Sequence, residues 1–259
     1  KVYVNPGKKV GDRPDIVIEP ENEYIKLENN ARTLKLGIRN RLIVNRIEKE
    51  DHDLITVTGG INLGQPRAHY FLNITHPTQY ALNALKSYLR FSGIKFDGKL
   101  LEGKTPDNAE ELHTHKGESL ALILRGLNKF SNNFVAEQIL KTIGAEHFGL
   151  PGSTTKGLRV FEKYMKQLGY QSGQYKIFDG SGLSRKNQLS PAILVDIMKN
   201  INNDLSIYPE FVTALGVMGV DGNVKNRMRK VEISSRARVK TGTLNFVSSL
   251  SGFFESKDG

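Results

Sequence analysis

The 259-residue sequence contains no cysteine. That absence excludes disulfides, thiolate metal sites and a cysteine nucleophile, and leaves the compartment open. Long apolar runs are missing too. The longest, Leu120-Ala121-Leu122-Ile123-Leu124, has five residues, against the ~20 that a membrane helix needs. The first residues, Lys1-Val2-Tyr3-Val4-Asn5-Pro6-Gly7, carry neither an initiator Met nor a signal-peptide pattern. They read as strand and turn, so a processed or truncated product is expected. Aromatic residues are absent between Phe211 and Phe246, the stretch in which Lys225, Arg227, Arg229, Lys230, Arg236, Arg238 and Lys240 gather. A single-strand nucleic-acid binder interleaves rings for base stacking. The basic cluster therefore reads as a solvated face, and no nucleic-acid partner is expected.

The composition is that of an ordinary globular protein, with 38% hydrophobic and 25% charged residues. The length suits one large domain or two medium ones. A net charge of +10 favours a polyanionic partner, such as an anionic cell wall. Strand-like runs occupy 24–27, 33–38, 42–47, 54–58 and 69–74, with turns expected at Asp51-His52-Asp53, Gly59-Gly60 and Gly64-Gln65-Pro66. Pro77 opens a helix with Leu82, Leu85 and Leu89 on its apolar face, closed by Ser92-Gly93. From about residue 117 the period becomes helical. One stripe is Leu120, Ile123, Leu124 and Leu127, a second is Val135, Ile139, Leu140 and Ile143, and Ser131-Asn132-Asn133 breaks the helix between them. Further helices follow Ser153 and Ser190, each an N-cap. Strands at 236–241 and 246–254 lead to a hairpin signal, Lys257-Asp258-Gly259, read as a second sign of truncation. A boundary near residue 110 separates the β-rich part from the helix-rich part.

Three patterns carry chemistry. Gly98-Lys99-Leu100-Leu101-Glu102-Gly103-Lys104-Thr105 is a formal phosphate-loop match. A working phosphate loop needs a buried strand before it and a buried helix after it, and the polar residues after Thr105 supply neither. No nucleotide cofactor is expected. His113-Thr114-His115 offers two ligands, which do not make a metal site. The third pattern pairs Ser131-Asn132-Asn133 with Lys240-Thr241-Gly242, 109 residues downstream. In this order the two match the last two of the three elements of serine β-lactamases and penicillin-binding proteins, Ser-x-x-Lys, Ser-x-Asn and Lys-Thr-Gly. Acyl transfer from a D-Ala-D-Ala peptide needs an activated serine, a proton relay and a cation for the terminal carboxylate. Ser131 can pass a proton to the departing amine, Asn133 can bond a substrate carbonyl, and Lys240 supplies charge. The Thr241 and Thr243 hydroxyls can hold the carboxylate, and Gly242 keeps the strand bare for a substrate lying as an added strand.

Around these motifs the sequence resembles the class C low-molecular-mass penicillin-binding proteins. Ser131-Asn132-Asn133-Phe134-Val135-Ala136-Glu137 is similar to their Ser-Asp-Asn stretch. Asp179-Gly180-Ser181-Gly182-Leu183-Ser184-Arg185 is similar to their Asp-Gly-Ser-Gly-Leu-Ser loop, and Gly219-Val220-Asp221-Gly222 with Arg227-Met228 to the approach to Lys-Thr-Gly. The resemblance implies an α+β serine β-lactamase/penicillin-binding-protein transpeptidase-like fold, an antiparallel sheet flanked by helices. Residues 1–110 would be the later part of a β-rich inserted domain, and 111–259 the C-terminal part of the catalytic domain. It implies D,D-carboxypeptidase activity, often with D,D-endopeptidase activity, on peptidoglycan stem peptides, together with acylation by β-lactams, in a periplasmic or otherwise extracytoplasmic setting. Leu183, Arg185 and Leu244 become candidate cleft contacts, and no cofactor or metal is implied.

The family's Ser-x-x-Lys precedes the insertion. The two formal matches here, Ser92-Gly93-Ile94-Lys95 and Ser153-Thr154-Thr155-Lys156, break the motif order. The nucleophile is therefore expected outside this chain. The competing expectation is a peptidoglycan-binding relative that has lost its nucleophile.

Overall fold

Alternation builds the first sheet. In β1 (Val2–Asn5), Val2 and Val4 are buried while Tyr3 and Asn5 are half-buried, the period-2 pattern of a strand with one face on a core. It pairs antiparallel with β2 (Asp15–Ile18) on one side and on the other with β7 (Ala68–Tyr70). The computed structural model of the chain describes residues 1–256, apart from the side chains of Glu232 and Ile233. The hairpin signal at 257–259 lies outside the described residues. The chain divides into two compact units, Lys1–Glu111 and Leu112–Gly259.

The second sheet of the first unit is organised on β6 (Asp53–Asn62). Along one edge run β3 (Ile25–Asn29) and β4 (Arg32–Leu34), both parallel to it, and along the other runs β5 (Arg41–Glu48), antiparallel. Val2, Val4, Ala31, Ile55, Val57 and Ile61 form the core shared by the two sheets. Each larger side chain so buried contributes about 1.5–3 kcal/mol. Asp53 is fully buried, and its carboxylate accepts from Arg46 Nη1 (3.1 Å), Thr75 N (3.0 Å) and Thr75 Oγ1 (2.7 Å). This pairing is what a buried charge requires.

Three expectations for this unit need correction. Gly59-Gly60 is not a turn but lies inside β6. Gly59 has φ +81°, and a Cβ there would sit 1.9 Å from Arg41 O, so only glycine lets β5 come this close. The strands expected over 33–38 and 69–74 stop at Leu34 and Tyr70, because their partners end at Asn62 and Val2. In α1 (Pro77–Phe91) the buried residue is Ala84, while Leu85 is exposed. Period alone does not say which part of an apolar stripe meets a neighbour.

The second unit begins with α2 (Leu120–Phe130), α3 (Asn133–Phe148) and α4 (Thr154–Gln167). Then come α5 (Pro191–Asn202), α6 (Tyr208–Ala214), and the antiparallel sheet of β8 (Gly216–Val217), β9 (Ala237–Leu244) and β10 (Val247–Phe254), in the order β10-β9-β8. Side-chain oxygens cap four helices: Ser119, Asn132, Ser153 and Ser190 accept from the backbone N–H of Leu122, Val135, Lys156 and Ile193. Each such cap is worth about 1 kcal/mol. The stripe expected on α2 is only half right. Leu124 and Leu127 are half-buried, whereas Leu120 and Ile123 are exposed, as is Ile143 on α3. Within the unit α2 meets α6, α3 and the 3-10 turn Gly222–Val224. Among the described residues no helix is long and apolar enough to cross a membrane.

The α3–α4 contact depends on two facing glycines. A Cβ on Gly157 would lie 2.2 Å from Leu140 O, and one on Gly144 would lie 2.6 Å from Gly157 N. Gly157→Ala is expected to destabilise by about 1–3 kcal/mol through overpacking. Gly126→Ala, inside α2 with nothing within 4 Å of the added carbon, should stabilise by about 1 kcal/mol through helix propensity. Urea-unfolding midpoints of the two variants check both, and shifts in the same direction would contradict this account of the packing.

Candidate active site

The break between α2 and α3 is two residues, Ser131 and Asn132. Ser131 takes the left-handed conformation (φ 57°, ψ 56°) and its N–H closes α2 on Leu127 O at 2.7 Å. A residue with a Cβ costs about 1–2 kcal/mol in that region. Asn132 then caps α3 and Asn133 opens it, exposed. Lys240 on β9 donates from Nζ to Ser131 Oγ at 2.9 Å, and to Thr241 O at 2.6 Å. Desolvation lowers the Lys240 pKa from its ordinary value, and among the described residues no carboxylate pairs with it. An ammonium can only donate, so Ser131 Oγ must be the acceptor and its own proton is left for another partner.

β9 offers an open edge at the same place. β10 pairs with it along Ala237–Leu244, whereas β8 reaches only Arg238 and Val239 on the other side. Beside Lys240–Leu244 that second edge carries no strand among the described residues. Thr241, Gly242 and Leu244 are half-buried and Thr243 is exposed. The bare face of Gly242 is turned to β10, where an added Cβ would fall 2.5 Å from Ser249 Oγ. The glycine thus makes room for Ser249, and the vacancy for an added strand is the edge of β9.

The loop from Asp179 to Arg185 is held from within and from α3. The Asp179 carboxylate accepts from Gly182 N (2.9 Å), Ser184 N (2.6 Å) and Asn187 Nδ2 (2.8 Å). Burial opposes its ionisation, but these bonds outweigh it and hold the carboxyl below its ordinary range. Glu137 Oε1 accepts from both Gly180 N and Ser181 N at 2.9 Å. Gly180 lies so near α3 that a Cβ would be 2.9 Å from Ala136 O. Arg185 Nη2 donates to Asn245 O at 3.0 Å, in the two-residue turn between β9 and β10, and Leu183 is exposed. The structure thus joins Ser131 to Lys240 directly, and Arg185 to the turn next to Leu244. Among the described residues it shows no side-chain hydrogen bond that links Asn133 or Leu183 to Lys240.

Glu137 and Asp221 gain roles that their sequence positions alone do not show. Both sit in the motif segments, and only Asp221 has a glycine beside it in the sequence. Asp221 pairs with Lys129 and accepts from Val217 N at 2.8 Å. The other patterns assemble nothing. Gly98–Thr105 is irregular, with no strand directly before it and no helix directly after it. His113 and His115 are exposed and outside any strand, and no group of three or more potential metal ligands occurs among the described residues. Ser92 is the C-cap residue of α1. Ser153 caps α4, while Lys156 Nζ bonds Gly149 O and Pro151 O.

Comparison with known proteins gives the following. The sequence matches the D-Ala-D-Ala carboxypeptidase 3 (S13) family over residues 1–259. It is 30% identical to a D-alanyl-D-alanine carboxypeptidase of Actinomadura sp. (strain R39) over 267 residues, covering 100% of this chain and 49% of that protein. It is 27% identical to the D-alanyl-D-alanine carboxypeptidase DacB of Haemophilus influenzae over 183 residues, 70% of this chain and 38% of the relative. The chain thus spans about half the length, or less, of these curated relatives. Its fold matches the crystal structure of penicillin binding protein 4 from Haemophilus influenzae with a TM-score of 0.78 at 20% identity, covering 100% of this chain and 57% of that one. A second structure of that protein, complexed with a β-lactam, gives a TM-score of 0.76 at 21% identity, over 99% and 59% of the two chains. These establish the α+β fold that the resemblance implied.

The lowered pKa of Lys240 has a definite pH signature. Folding weakens its hold on the proton, so between its folded value and the ordinary 10.5 the unfolded chain binds more protons. The stability contribution of this group therefore rises with pH across that window and is flat below it. Denaturant unfolding of the parent and Lys240→Met across that range should show the gap between them changing in favour of the parent as pH rises. Carbon-13 NMR of labelled lysine side chains should place Lys240 below the exposed lysines, and a Lys240 signal titrating with them would contradict the burial described above.

Proposed function

The chain belongs to the D-Ala-D-Ala carboxypeptidase 3 (S13) family, and from that premise we propose that the protein carrying it is a serine D,D-carboxypeptidase, with D,D-endopeptidase activity as a second capacity. Its substrates in this reading are D-Ala-D-Ala stem peptides of peptidoglycan, and β-lactams acylate it. The nucleophile is a serine of a Ser-x-x-Lys outside residues 1–259, since Ser92 and Ser153 are committed to helix ends. Residues 1–110 are the later part of the inserted β-rich region and 111–259 the C-terminal part of the catalytic domain. The setting is extracytoplasmic, where the substrate is found.

The observation that carries this reading is the 2.9 Å bond from Lys240 Nζ to Ser131 Oγ beside an open strand edge. The substrate lies along the free edge of β9 as an added strand, its terminal carboxylate on the Thr241 and Thr243 hydroxyls and near the Lys240 charge. Asn133 bonds a substrate carbonyl, and Leu183, Arg185 and Leu244 line the cleft. The nucleophile forms a bond to the carbonyl carbon of the penultimate D-Ala and the peptide bond breaks. With Lys240 donating to its oxygen, Ser131 hands its hydroxyl proton to the departing amine and is reprotonated with the proton that the nucleophile gives up. Water then hydrolyses the acyl-enzyme.

Two measurements test this. Fluorescent penicillin applied to the full-length protein, followed by peptide mapping, should label a serine outside these 259 residues. A label on Ser92 or Ser153 would overturn the assignment of the nucleophile, and no label on the folded full-length protein would favour the non-catalytic relative. Ser131→Gly removes the hydroxyl while suiting the left-handed backbone. It should lower peptide turnover by about 10²-fold or more with thermal stability unchanged or raised, and undiminished turnover would remove Ser131 from the proton relay.

A further inference from the structure

We propose that the Lys129–Asp221 ion pair is the brace that sets the position of Ser131 relative to Lys240; the proposal rests on the peptidase reading above. Lys129 lies in the last turn of α2, two residues before Ser131, and its side chain is only 7% exposed. A charge so buried needs a partner, and Asp221 supplies it. Asp221 is itself anchored, because its other oxygen accepts from Val217 N at 2.8 Å. Val217 pairs with Arg238 on β9, two residues before Lys240. The ring of bonds closes: Ser131, Phe130, Lys129, Asp221, Val217, Arg238, Val239, Lys240, and from Lys240 Nζ back to Ser131 Oγ. Gly222 tightens it from below. It sits at φ +58° against the backbone of Lys129, where a Cβ would lie 2.7 Å from Lys129 O.

Stability is a poor reason for this pair. A buried ion pair is often no more stabilising than apolar side chains of the same volume. What it adds is direction, since the ammonium must meet one carboxylate oxygen while the other is held by the sheet. Among the described residues the first turns of α2 make no ion pair, and Leu120, Leu122 and Ile123 are exposed there. The pair fixes the end of α2 that carries Ser131. Lys129 and Asp221 touch no reacting atom in this arrangement and are positioning residues.

The experiment compares two acyl donors on the full-length protein and its Lys129→Met variant. One is a D-Ala-D-Ala peptide and the other is the thioester of the same acyl group. The peptide must protonate a departing amine, whereas a thiolate leaves without help. Misplacing Ser131 should reduce peptide acylation by about 10²-fold and thioester acylation by less than about fivefold. Equal losses on both donors, or no loss, would overturn the proposal. Asp221→Asn, which keeps the acceptor for Val217 N–H, replaces Lys129→Met if that variant does not fold. A second readout does not depend on catalysis. Amide hydrogen exchange over the α2–α3 junction, at Ser131 and Asn132, should accelerate in the variant while α4 stays protected, and unchanged protection there would overturn the brace. If the unmutated protein acylates with neither donor, the peptidase reading fails, and the exchange result alone decides whether the brace exists.

Discussion

A lysine half withdrawn from water on a central strand governs the helix-rich unit. Desolvation makes the charge of Lys240 harder to hold, and its two bonds go to a backbone carbonyl and the hydroxyl of Ser131. Meeting that demand requires a serine at one point in space. A continuous helix would carry the side chain of Ser131 round its axis, so the chain breaks α2 there and accepts a left-handed residue. Asn132 then restarts the helix with its own cap. The strained turn and the buried cation are one feature seen from two elements.

Around that feature the carboxylates act on backbone. Asp179 gathers N–H groups of its own loop, Glu137 ties that loop to α3, and Asp221 ties α2 to β8. Each replaces a repeating hydrogen-bond ladder where the backbone is irregular. Glycines stand beside them because these segments approach other backbone closely: Gly180 against Ala136, Gly222 against Lys129. A site made of loops is rigid here because its orphan N–H groups have fixed acceptors.

Much of the architecture was legible in the sequence. Pro77, Ser153 and Ser190 announce helix starts by mechanisms that act over three or four residues, and the structure keeps all three. The alternation in 42–47 and 54–58 survives as the antiparallel pair β5–β6. What failed were statements about neighbours. Gly59-Gly60 looks like a turn until Arg41 is seen beside it, and the ends of β4 and β7 depend on where a partner stops. Leu85, Leu120 and Ile123 fit their stripes yet stay exposed, because a stripe states only that a face is apolar. In the site, Ser131 and Lys240 were readable as a pair by residue type and order. The duties of Glu137, Lys129 and Asp221 were not, since each is defined by a partner at least 43 residues away.

By itself the sequence determined the chemistry available: a hydroxyl, an amide, an ammonium and two further hydroxyls in the order that acyl transfer uses, with no thiol. It also determined where helices start, because caps are local. Only the tertiary structure decided that Ser131 and Lys240 meet at hydrogen-bond distance, that the edge of β9 beyond Val239 is free, and that Gly242 faces Ser249. The physical reason is range. Capping, turn and strand preferences act within a few residues, whereas desolvation of a lysine and closure of a strand edge depend on which distant segments pack beside them.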